Sequence, residues 1–265
     1  MYDFHVHSHF SSDSTASMQS MAAKAKCIGL KGICFTDHYD LEYQSTEISF
    51  EFSYDRYFDE INSLKANSSE NLEIYTGLEL GMQPHLSAEN EALLKGRSFD
   101  FIIGSIHCVN KKDIYCRTFL EGITENEGIR NYFDDMLQCI EEFKNFDILG
   151  HLDAVRRYLY NKDNSFSLDL YEESVRNVLS KLVHSNKGIE VNTAGLRYGL
   201  SSFHPLPDIL KLYRLLGGEI VTVGSDAHKP DDLGYGIKNA LSVLSELGFK
   251  YYAIYKDRKP IFIKI

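Results

Sequence analysis

Seven short apolar runs, separated by amphipathic stretches, constrain the fold of this chain more than any other feature of its sequence. Each run is rich in Ile, Val, Phe or Leu and is short enough to form a strand buried on both faces. The runs cover residues 2–6, 32–36, 73–80, 99–106, 147–150, 188–191 and 219–224. Strands that alternate with helices in this way are typically parallel and joined by right-handed crossovers.

Apolar residues at helical spacing fill the stretches between these runs. We predict that Ser14 caps a helix that continues through Ala25 and ends near Gly29, and that Ser167 caps another. Further helices are predicted for residues 54–65, 131–143, 207–216 and 237–247. The tail, residues 251–265, is expected to add strand structure with a Lys-Asp-Arg turn.

Seven strand–helix units fit a closed or nearly closed barrel better than an open sheet. A doubly wound open sheet is the alternative, but no Gly-x-Gly-x-x-Gly turn supports it. The chain has 265 residues, and α/β barrels commonly form one domain of about 200–250 residues. We therefore predict an α/β fold in which residues 1–265 form a single domain built on a TIM-like barrel.

The composition limits the partners that this chain can have. Its formal net charge of −10 argues against non-specific binding to nucleic acids or anionic membranes, which requires a basic surface. We expect no secretory signal, and the sequence has no stretch of about 20 apolar residues. The five cysteines lack Cys-x-x-Cys spacing and are odd in number, which favours a reducing compartment. We expect a soluble cytoplasmic protein without a nucleic-acid or membrane partner.

Each of the seven predicted strands ends in a potential metal ligand or another polar side chain. These residues are His5 and His7, Asp37 and His38, Glu79, His107, His151 and Asp153, Asn192, and Asp226 and His228. Because the carboxyl ends of barrel strands meet at one face, we expect these side chains to converge on one pocket.

The spacing of these residues suits metal binding. Alternate residues of a strand point the same way, so His5 and His7 are expected to point together, as are Asp226 and His228. Two imidazoles and a carboxylate suit Zn, Mn or Fe, and a carboxylate can bridge two ions. Asp3 could accept a hydrogen bond that orients an imidazole.

A single histidine at a strand end is more often a satisfied core or surface residue than a ligand. We interpret His85, His184 and His204 in that way. Six of the ten histidines lie at strand ends, however, which is hard to attribute to chance. A structural zinc site fits poorly, because such sites are usually closed and rich in cysteine.

The motifs at the strand ends resemble those of the polymerase and histidinol phosphatase (PHP) superfamily. They are His-x-His, Thr-Asp-His, Gly-Leu-Glu, Gly-Ser-Ile-His, Gly-His-Leu-Asp and Gly-Ser-Asp-Ala-His, in the expected order from His5 to His228. Gly-His-Leu-Asp-x-x-Arg-Arg-Tyr and Glu-Val-Asn-Thr-x-Gly-Leu-Arg resemble the histidinol-phosphatase branch in particular. The resemblance implies the PHP fold, a distorted (β/α)7 barrel, with a trinuclear metal centre.

The resemblance also implies which residues bind two to three divalent ions (Zn, Mn or Fe). The implied ligands are His5, His7, Glu79 and Asp226 at the first site, Glu79, His107 and His151 at the second, and Asp13, His38 and His228 at the third. Several members of the superfamily carry a histidine at the position of Asp13. His9 lies nearby and could substitute for Asp13.

The activity implied by the resemblance is phosphomonoester hydrolysis. The expected substrate is L-histidinol phosphate, which would give L-histidinol and phosphate in histidine biosynthesis. We hypothesise attack by a hydroxide that bridges two metals, with Glu79, Asp226 and His228 as the catalytic residues.

Three arginines are predicted to bind the phosphate, because their planar guanidinium groups present paired donors. They are Arg156, Arg157 and Arg197. Asp40, Glu42 and Tyr198 are candidates for contacts with the amine and imidazole of the alcohol.

Three other functions compete with this interpretation. A PHP phosphoesterase could act on a nucleotide, a sugar phosphate or phosphotyrosine. A non-catalytic PHP interaction module would lack ligands, whereas the expected positions are filled in this chain. A metal-dependent amidohydrolase would normally carry a carbamylated lysine on a middle strand, where this chain has Glu79.

Overall fold

The computed structural model describes residues 1–43, 49–68, 72–162 and 166–265, and its central sheet has eight parallel strands. The short strand His38–Tyr39 pairs with Glu79 and Leu80, and the other seven form the main path of the sheet. These seven strands are β1 (Tyr2–Val6), β2 (Gly32–Phe35), β3 (Glu73–Gly81), β4 (Phe101–Ser105), β5 (Ile148–Leu149), β6 (Gly188–Asn192) and β7 (Val221–Gly224). Each strand pairs with the next in chain order. Each lies within two residues of its predicted bounds at either end, so the strand predictions are confirmed.

The sheet curls until β7 returns to β1. Val6, the last residue of β1, forms a parallel bridge with Ala227, three residues after β7. The backbone N–H of His7 donates to the carbonyl of Ala227 at 2.9 Å, and that of Asp226 donates to the carbonyl of His5 at 2.9 Å. The closure confirms the predicted barrel over the doubly wound open sheet.

The interior of the barrel is a packed core. The ring of Phe4 on β1 lies 5.4 Å from that of Phe101 on β4, measured between centroids, although these strands are not neighbours in the sheet. Tyr75 of β3 approaches Phe4 to 5.0 Å. Such contacts across the barrel fill its interior with side chains, as in other α/β barrels.

Helices cover the outside of the barrel. They are α1 (Met18–Cys27), α2 (Tyr54–Asn67), α3 (Ser87–Leu94), α4 (Glu125–Glu142), α5 (Leu168–His184), α6 (Ala194–Arg197), α7 (Pro207–Leu215) and α8 (Ile237–Glu246). The short helices α3 and α6 were not predicted. Among the described residues, no helix combines the length and the apolar character needed to cross a membrane.

The starts of two helices differ from the prediction. Ser17 caps α1 by accepting a hydrogen bond from the N–H of Ser20, whereas the Ser14 hydroxyl donates to the carbonyl of His228 at 2.8 Å. Helix α4 begins at Glu125 because Thr124 opens a capping box in the preceding polar stretch. For α4, the apolar pattern used for the prediction starts only after this polar first turn.

The tail forms an antiparallel hairpin, as predicted, of β8 (Tyr251–Lys256) and β9 (Lys259–Lys264). Its turn residues Asp257 and Arg258 adopt left-handed φ values of 50° and 62°. The Arg258 Nε lies 2.6 Å from an oxygen of Asp147, which also accepts the N–H of Ile102. The hairpin is thereby anchored to the amino-terminal end of the barrel.

Candidate metal centre

Glu79 lies at the middle of a buried cluster of histidines at the carboxyl end of the barrel. Its side chain is completely buried, and each oxygen faces more than one imidazole. Its shortest distances to ring nitrogens are 2.7 Å (His151), 3.0 Å (His5), 3.0 Å (His38), 3.3 Å (His107) and 3.4 Å (His7). One carboxylate therefore approaches five imidazoles from four separate stretches of the barrel rim.

Asp226 completes the first predicted ligand set. Its Oδ1 lies 3.3 Å from Nε2 of His7 and 3.8 Å from Nε2 of His5. Asp226 adopts a left-handed φ of 55°, a conformation that is uncommon outside glycine and asparagine-like residues. The potential ligand atoms of His5, His7 and Glu79 all lie within 4.8 Å of one another.

The second predicted set lies on the other side of Glu79. Nε2 of His151 and Nε2 of His107 both approach Oε1 of Glu79, at 2.7 Å and 3.3 Å. Nδ1 of His107 lies 2.7 Å from Oδ1 of Asp40. Asp40 was predicted to contact the substrate, but its buried carboxylate holds His107 instead.

The third predicted set is more open to solvent. Oδ2 of Asp13 lies 3.1 Å from Nε2 of His228 and 3.8 Å from Nε2 of His38. His7, His38 and His228 also form a group whose ligand atoms lie within 4.8 Å of one another. His9 points away, with its Nε2 3.4 Å from Glu60, so the structure does not support it as a substitute for Asp13.

The hydrogen bonds around His7 test whether this cluster suits a cation. The Ser11 hydroxyl donates to Asp37 at 2.8 Å, so its oxygen accepts from Nδ1 of His7 at 2.9 Å. The lone pair of His7 Nε2 therefore points at oxygens of Glu79 and Asp226, and this buried nitrogen has no hydrogen-bond partner among the described residues. Facing lone pairs in a buried site are costly. A divalent ion between them would satisfy all three, so the residues fit a metal.

The charge states of the cluster agree with that fit. Burial by itself would raise the pKa of Glu79, but the imidazoles of His38 and His5 hold it well below its usual range. The pKa of Asp226 is likewise held well below its usual range against burial, chiefly by His5 and His7. Burial and nearby positive imidazoles lower the pKa of His7 well below its ordinary value. The centre thus combines ionised carboxylates with a neutral imidazole, as metal ligation requires.

Two aspartates order the loops that carry the ligands. Asp37 accepts from the backbone N–H groups and the hydroxyls of both Ser8 and Ser11, in the loop after β1. Asp3 accepts from the backbone and hydroxyl of Ser225 and from the N–H of Gly234. Asp3 was predicted to orient an imidazole, but it holds the segment that leads into Asp226.

A cavity of about 340 Å³ opens above the cluster. Besides predicted ligands, its walls contain Tyr43, Phe50, Asp113, Ile114, Tyr115, Ala154, Arg157, Tyr158 and Tyr198. The cavity is therefore largely aromatic on one side and bounded by the histidines and Asp226 on the other. A flat or ring-containing molecule with a charged end would fit these surfaces.

The adjacent arginines Arg156 and Arg157 point in different directions. The guanidinium of Arg156 is completely buried and donates to Asp153 at 2.8 Å and to the carbonyl of Phe203 at 3.2 Å. The structure does not support a phosphate contact for Arg156. Arg157 lines the cavity, and its buried Nε and Nη2 have no hydrogen-bond partner in the part of the chain that the structure describes. Its guanidinium stacks 3.9 Å from the ring centroid of Tyr198.

Of the remaining residues predicted to contact the substrate, some lie near the cavity and one does not. Nη2 of Arg197 donates to the carbonyl of Asp226 at 2.8 Å, and a phosphate contact for Arg197 stays a prediction. Tyr198 lies in the cavity wall. Glu42 lies 2.9 Å from His85 in an exposed ion pair, so the structure does not place it at the cavity.

Comparison with protein families identifies the chain. A model of the PHP domain matches residues 3–194. The chain belongs to the PHP domain family. The resemblance noted in the strand-end motifs is thereby confirmed, and the barrel and metal-ligand cluster described above are those of a PHP protein.

Individual relatives place this PHP chain in the histidinol-phosphatase branch. It is 32% identical to a probable histidinol-phosphatase of Clostridium acetobutylicum, over 94% of this chain and 95% of the relative. It is 31% identical to the histidinol-phosphatase of Lactococcus lactis, over 97% of this chain and 95% of the relative. The crystal structure of histidinol phosphate phosphatase from Lactococcus lactis, complexed with zinc, L-histidinol and phosphate, superposes with a TM-score of 0.88 at 30% identity and covers 98% of both chains.

The sequence prediction missed one buried residue of this PHP centre. Glu190 of β6 is 1% exposed, and its Oε1 lies 2.6 Å from Nδ1 of His5. Asn192, two residues later, donates to both Glu190 and Asp226. A charged residue inside the apolar run 188–191 was the available signal, because a buried charge requires a partner.

Proposed function

We propose that this PHP protein hydrolyses L-histidinol phosphate to L-histidinol and phosphate in histidine biosynthesis. The observation that carries the proposal is the convergence of five imidazoles and Asp226 on Glu79, at the floor of an aromatic cavity. A relative that is 30% identical over nearly the whole chain was solved with zinc, L-histidinol and phosphate. The geometry and the relative therefore support the same chemistry.

Three ligand sets would hold two to three divalent ions (Zn, Mn or Fe). The sets are His5, His7, Glu79 and Asp226, then Glu79, His107 and His151, and finally Asp13, His38 and His228. Divalent ions bound there would lower the pKa of coordinated water and neutralise phosphoryl oxygens. The mixed nitrogen and oxygen donors suit Zn, Mn or Fe.

Glu79, Asp226 and His228 are the proposed catalytic residues, because each would touch the ions beside the reacting phosphate. Glu79 belongs to both the first and the second ligand set and would contact the ions of both. Asp226 lies between His7 and Arg157, with its Oδ2 3.8 Å from Nη2 of Arg157. His228 faces Asp13 on the open side of the cluster.

Arg157 would bind the phosphate. Its guanidinium already lies beside Asp226, in the cavity wall, with two buried nitrogens free to donate. Stacking on Tyr198 limits the orientations of the planar group, which reduces the entropy lost when it binds an oxyanion. Arg197, whose Nη2 donates to the backbone carbonyl of Asp226, would add a second positive charge near the phosphate.

The aromatic walls would receive the alcohol. Tyr43, Phe50, Tyr115 and Tyr158 offer surfaces on which a flat imidazole can stack. Asp113 adds a carboxylate to the same wall, held by the backbone N–H groups of Tyr115 and Cys116. A carboxylate and aromatic rings together suit the ammonium of a histidinol group.

We also propose that residues 1–265 act as one domain in the cytoplasm. No disulfide joins cysteines among the described residues, as expected in a reducing compartment. The substrate is a small metabolite, and the net charge of −10 makes a nucleic-acid partner unfavourable.

Metal content and phosphate release test the proposed function together. Purified protein would be assayed on L-histidinol phosphate, p-nitrophenyl phosphate and a nucleotide monophosphate. We expect about two to three divalent ions per chain and a strong preference for L-histidinol phosphate. Bound metals without that preference would contradict the substrate and favour another ester, such as a nucleotide, a sugar phosphate or phosphotyrosine.

A further inference from the structure

Glu190 is a buried carboxylate whose two oxygens serve different partners. Oε1 lies 2.6 Å from Nδ1 of His5. Oε2 accepts from the backbone N–H of His151 at 3.0 Å and from Nδ2 of Asn192 at 3.1 Å. Because a carboxylate can only accept, Nδ1 of His5 must carry the proton.

These contacts lead to three different strands of the barrel. His5 lies on β1 and His151 follows β5. Nδ2 of Asn192, at the end of β6, also donates to Oδ2 of Asp226 at 3.3 Å. Glu190 therefore contacts a ligand of the first set, His5, and a ligand of the second set, His151. Through Asn192 it also reaches Asp226 of the first set.

The barrel leaves room for this arrangement at Gly224. A Cβ at this position would lie 2.7 Å from Oε1 of Glu190 and 2.3 Å from Cβ of His5. Any side chain at residue 224 would therefore separate the carboxylate from the imidazole. The absence of a side chain there is what permits the 2.6 Å contact.

We propose that Glu190 is a positioning residue of the metal centre. By accepting the Nδ1 proton of His5, it fixes the ring and leaves Nε2, which faces Glu79 and Asp226, as the nitrogen that would bind metal. By accepting from the N–H of His151, and from Asn192, which also donates to Asp226, it holds the ligands His151 and Asp226 at their present distances. Carboxylates that act on histidine ligands in this way strengthen metal binding. The inference rests on the proposed metal centre.

The substitution Glu190→Gln separates this role from space filling, because Gln has nearly the same shape. The Gln amide has a single oxygen, so it can accept either from His5 or from His151 and Asn192, but not from both. If the NH2 group faces His5, it donates to Nδ1 and places the imidazole proton on Nε2, where the metal would bind. If the NH2 group faces His151 and Asn192, the N–H groups of these two residues face another donor and lose their acceptor. Either orientation weakens the metal centre.

The substitution Glu190→Asp gives the second variant. Asp keeps the charge and both acceptor oxygens but is one methylene shorter. A positioning role predicts metal affinity in the order Glu, Asp, Gln. A space-filling role predicts the reverse order for the two variants. Asp147→Asn is the matched control, since it removes a buried carboxylate at the opposite end of the barrel, where Asp147 contacts Arg258.

The experiment measures binding of Zn²⁺ and Mn²⁺ to metal-free protein by calorimetry and by competition with a chromophoric chelator. Thermal unfolding of the metal-free variants is recorded in parallel. We expect Glu190→Gln to lose about 10–100-fold in metal affinity and Asp147→Asn to bind metal as the wild type does. Wild-type affinity in Glu190→Gln would overturn the inference. If that variant does not fold, wild-type affinity in Glu190→Asp would overturn it.

The outcomes also separate this inference from the proposed function. Wild-type protein that binds metals but does not hydrolyse L-histidinol phosphate would contradict the substrate and leave the role of Glu190 standing. Wild-type protein that binds neither metal would overturn the metal centre and the role of Glu190 together.

Discussion

The carboxylate of Asp40 lies 2.7 Å from Nδ1 of His107 and turns Nε2 of that ring toward Glu79. Gly81 makes the contact possible, because a Cβ there would lie 1.9 Å from the same Asp40 oxygen. Glu190 and Gly224 stand in the same relation to His5. Two histidines on opposite sides of Glu79 are thus each fixed by a carboxylate that reaches past a glycine.

Asp40→Asn is expected to weaken metal binding by about 10–100-fold, because Asn holds the proton of Nδ1 less strongly and can present an NH2 group to it. The measurement is calorimetric titration of metal-free protein with Zn²⁺. Glu42→Gln is the control, since Glu42 is exposed and paired only with His85 and Lys111 among the described residues. Equal loss in both variants would contradict a specific role for Asp40.

Arg157→Ala is expected to lower kcat/KM for L-histidinol phosphate by about 10–100-fold, because a hydrogen bond to a charged group contributes roughly 1.5–3 kcal/mol. Metal content and thermal stability should stay near those of the wild type, since among the described residues the guanidinium donates a hydrogen bond only to the Tyr158 hydroxyl. Steady-state kinetics and metal analysis check both parts. An unchanged kcat/KM would remove Arg157 from the phosphate site.

Arg156→Ala is expected to lower the free energy of unfolding by about 3–5 kcal/mol, because the buried carboxylate of Asp153 would lose its guanidinium partner. The ion pair between these side chains measures 2.8 Å, and both are fully buried. Chemical denaturation of metal-loaded protein gives the measurement. A stable variant with impaired phosphate binding would instead support the original prediction that Arg156 contacts phosphate.

Metal binding is expected to release protons near neutral pH. Burial would lower the pKa of His228, but Asp13 and Asp226 raise it to about 9 in the metal-free chain. Burial is likewise outweighed at His5 and His107, whose pKa values carboxylates raise well above normal. These imidazoles are therefore protonated at pH 7 and must lose protons to bind metal.

The raised pKa values of these histidines determine how metal affinity depends on pH. Metal affinity should rise as the pH increases from 7 towards 9, and proton release per ion should fall over the same interval. Calorimetry in buffers of different ionisation enthalpy measures the protons released at each pH. Metal uptake without proton release at pH 7 would show that these imidazoles are already neutral.

The sequence by itself determined the seven strands, their order and the rim residues, because short apolar runs and the residues that end them are local patterns. The parallel barrel then brings those ends together whatever lies between them. The predicted ligands around Glu79 accordingly lie within reach of one another. Helix starts such as that of α4 were less accessible, because the polar first turns carry no apolar period.

Only the tertiary structure decided which polar residues face the site and which support it. Arg156 and Arg157 are neighbours in one short 3₁₀ segment, yet one is buried against Asp153 and the other lines the cavity. Glu190 partners His5, 185 residues away in sequence. Such pairs depend on packing between strands that are distant in sequence. A local sequence pattern cannot specify the direction of a side chain toward a partner that only the fold brings near.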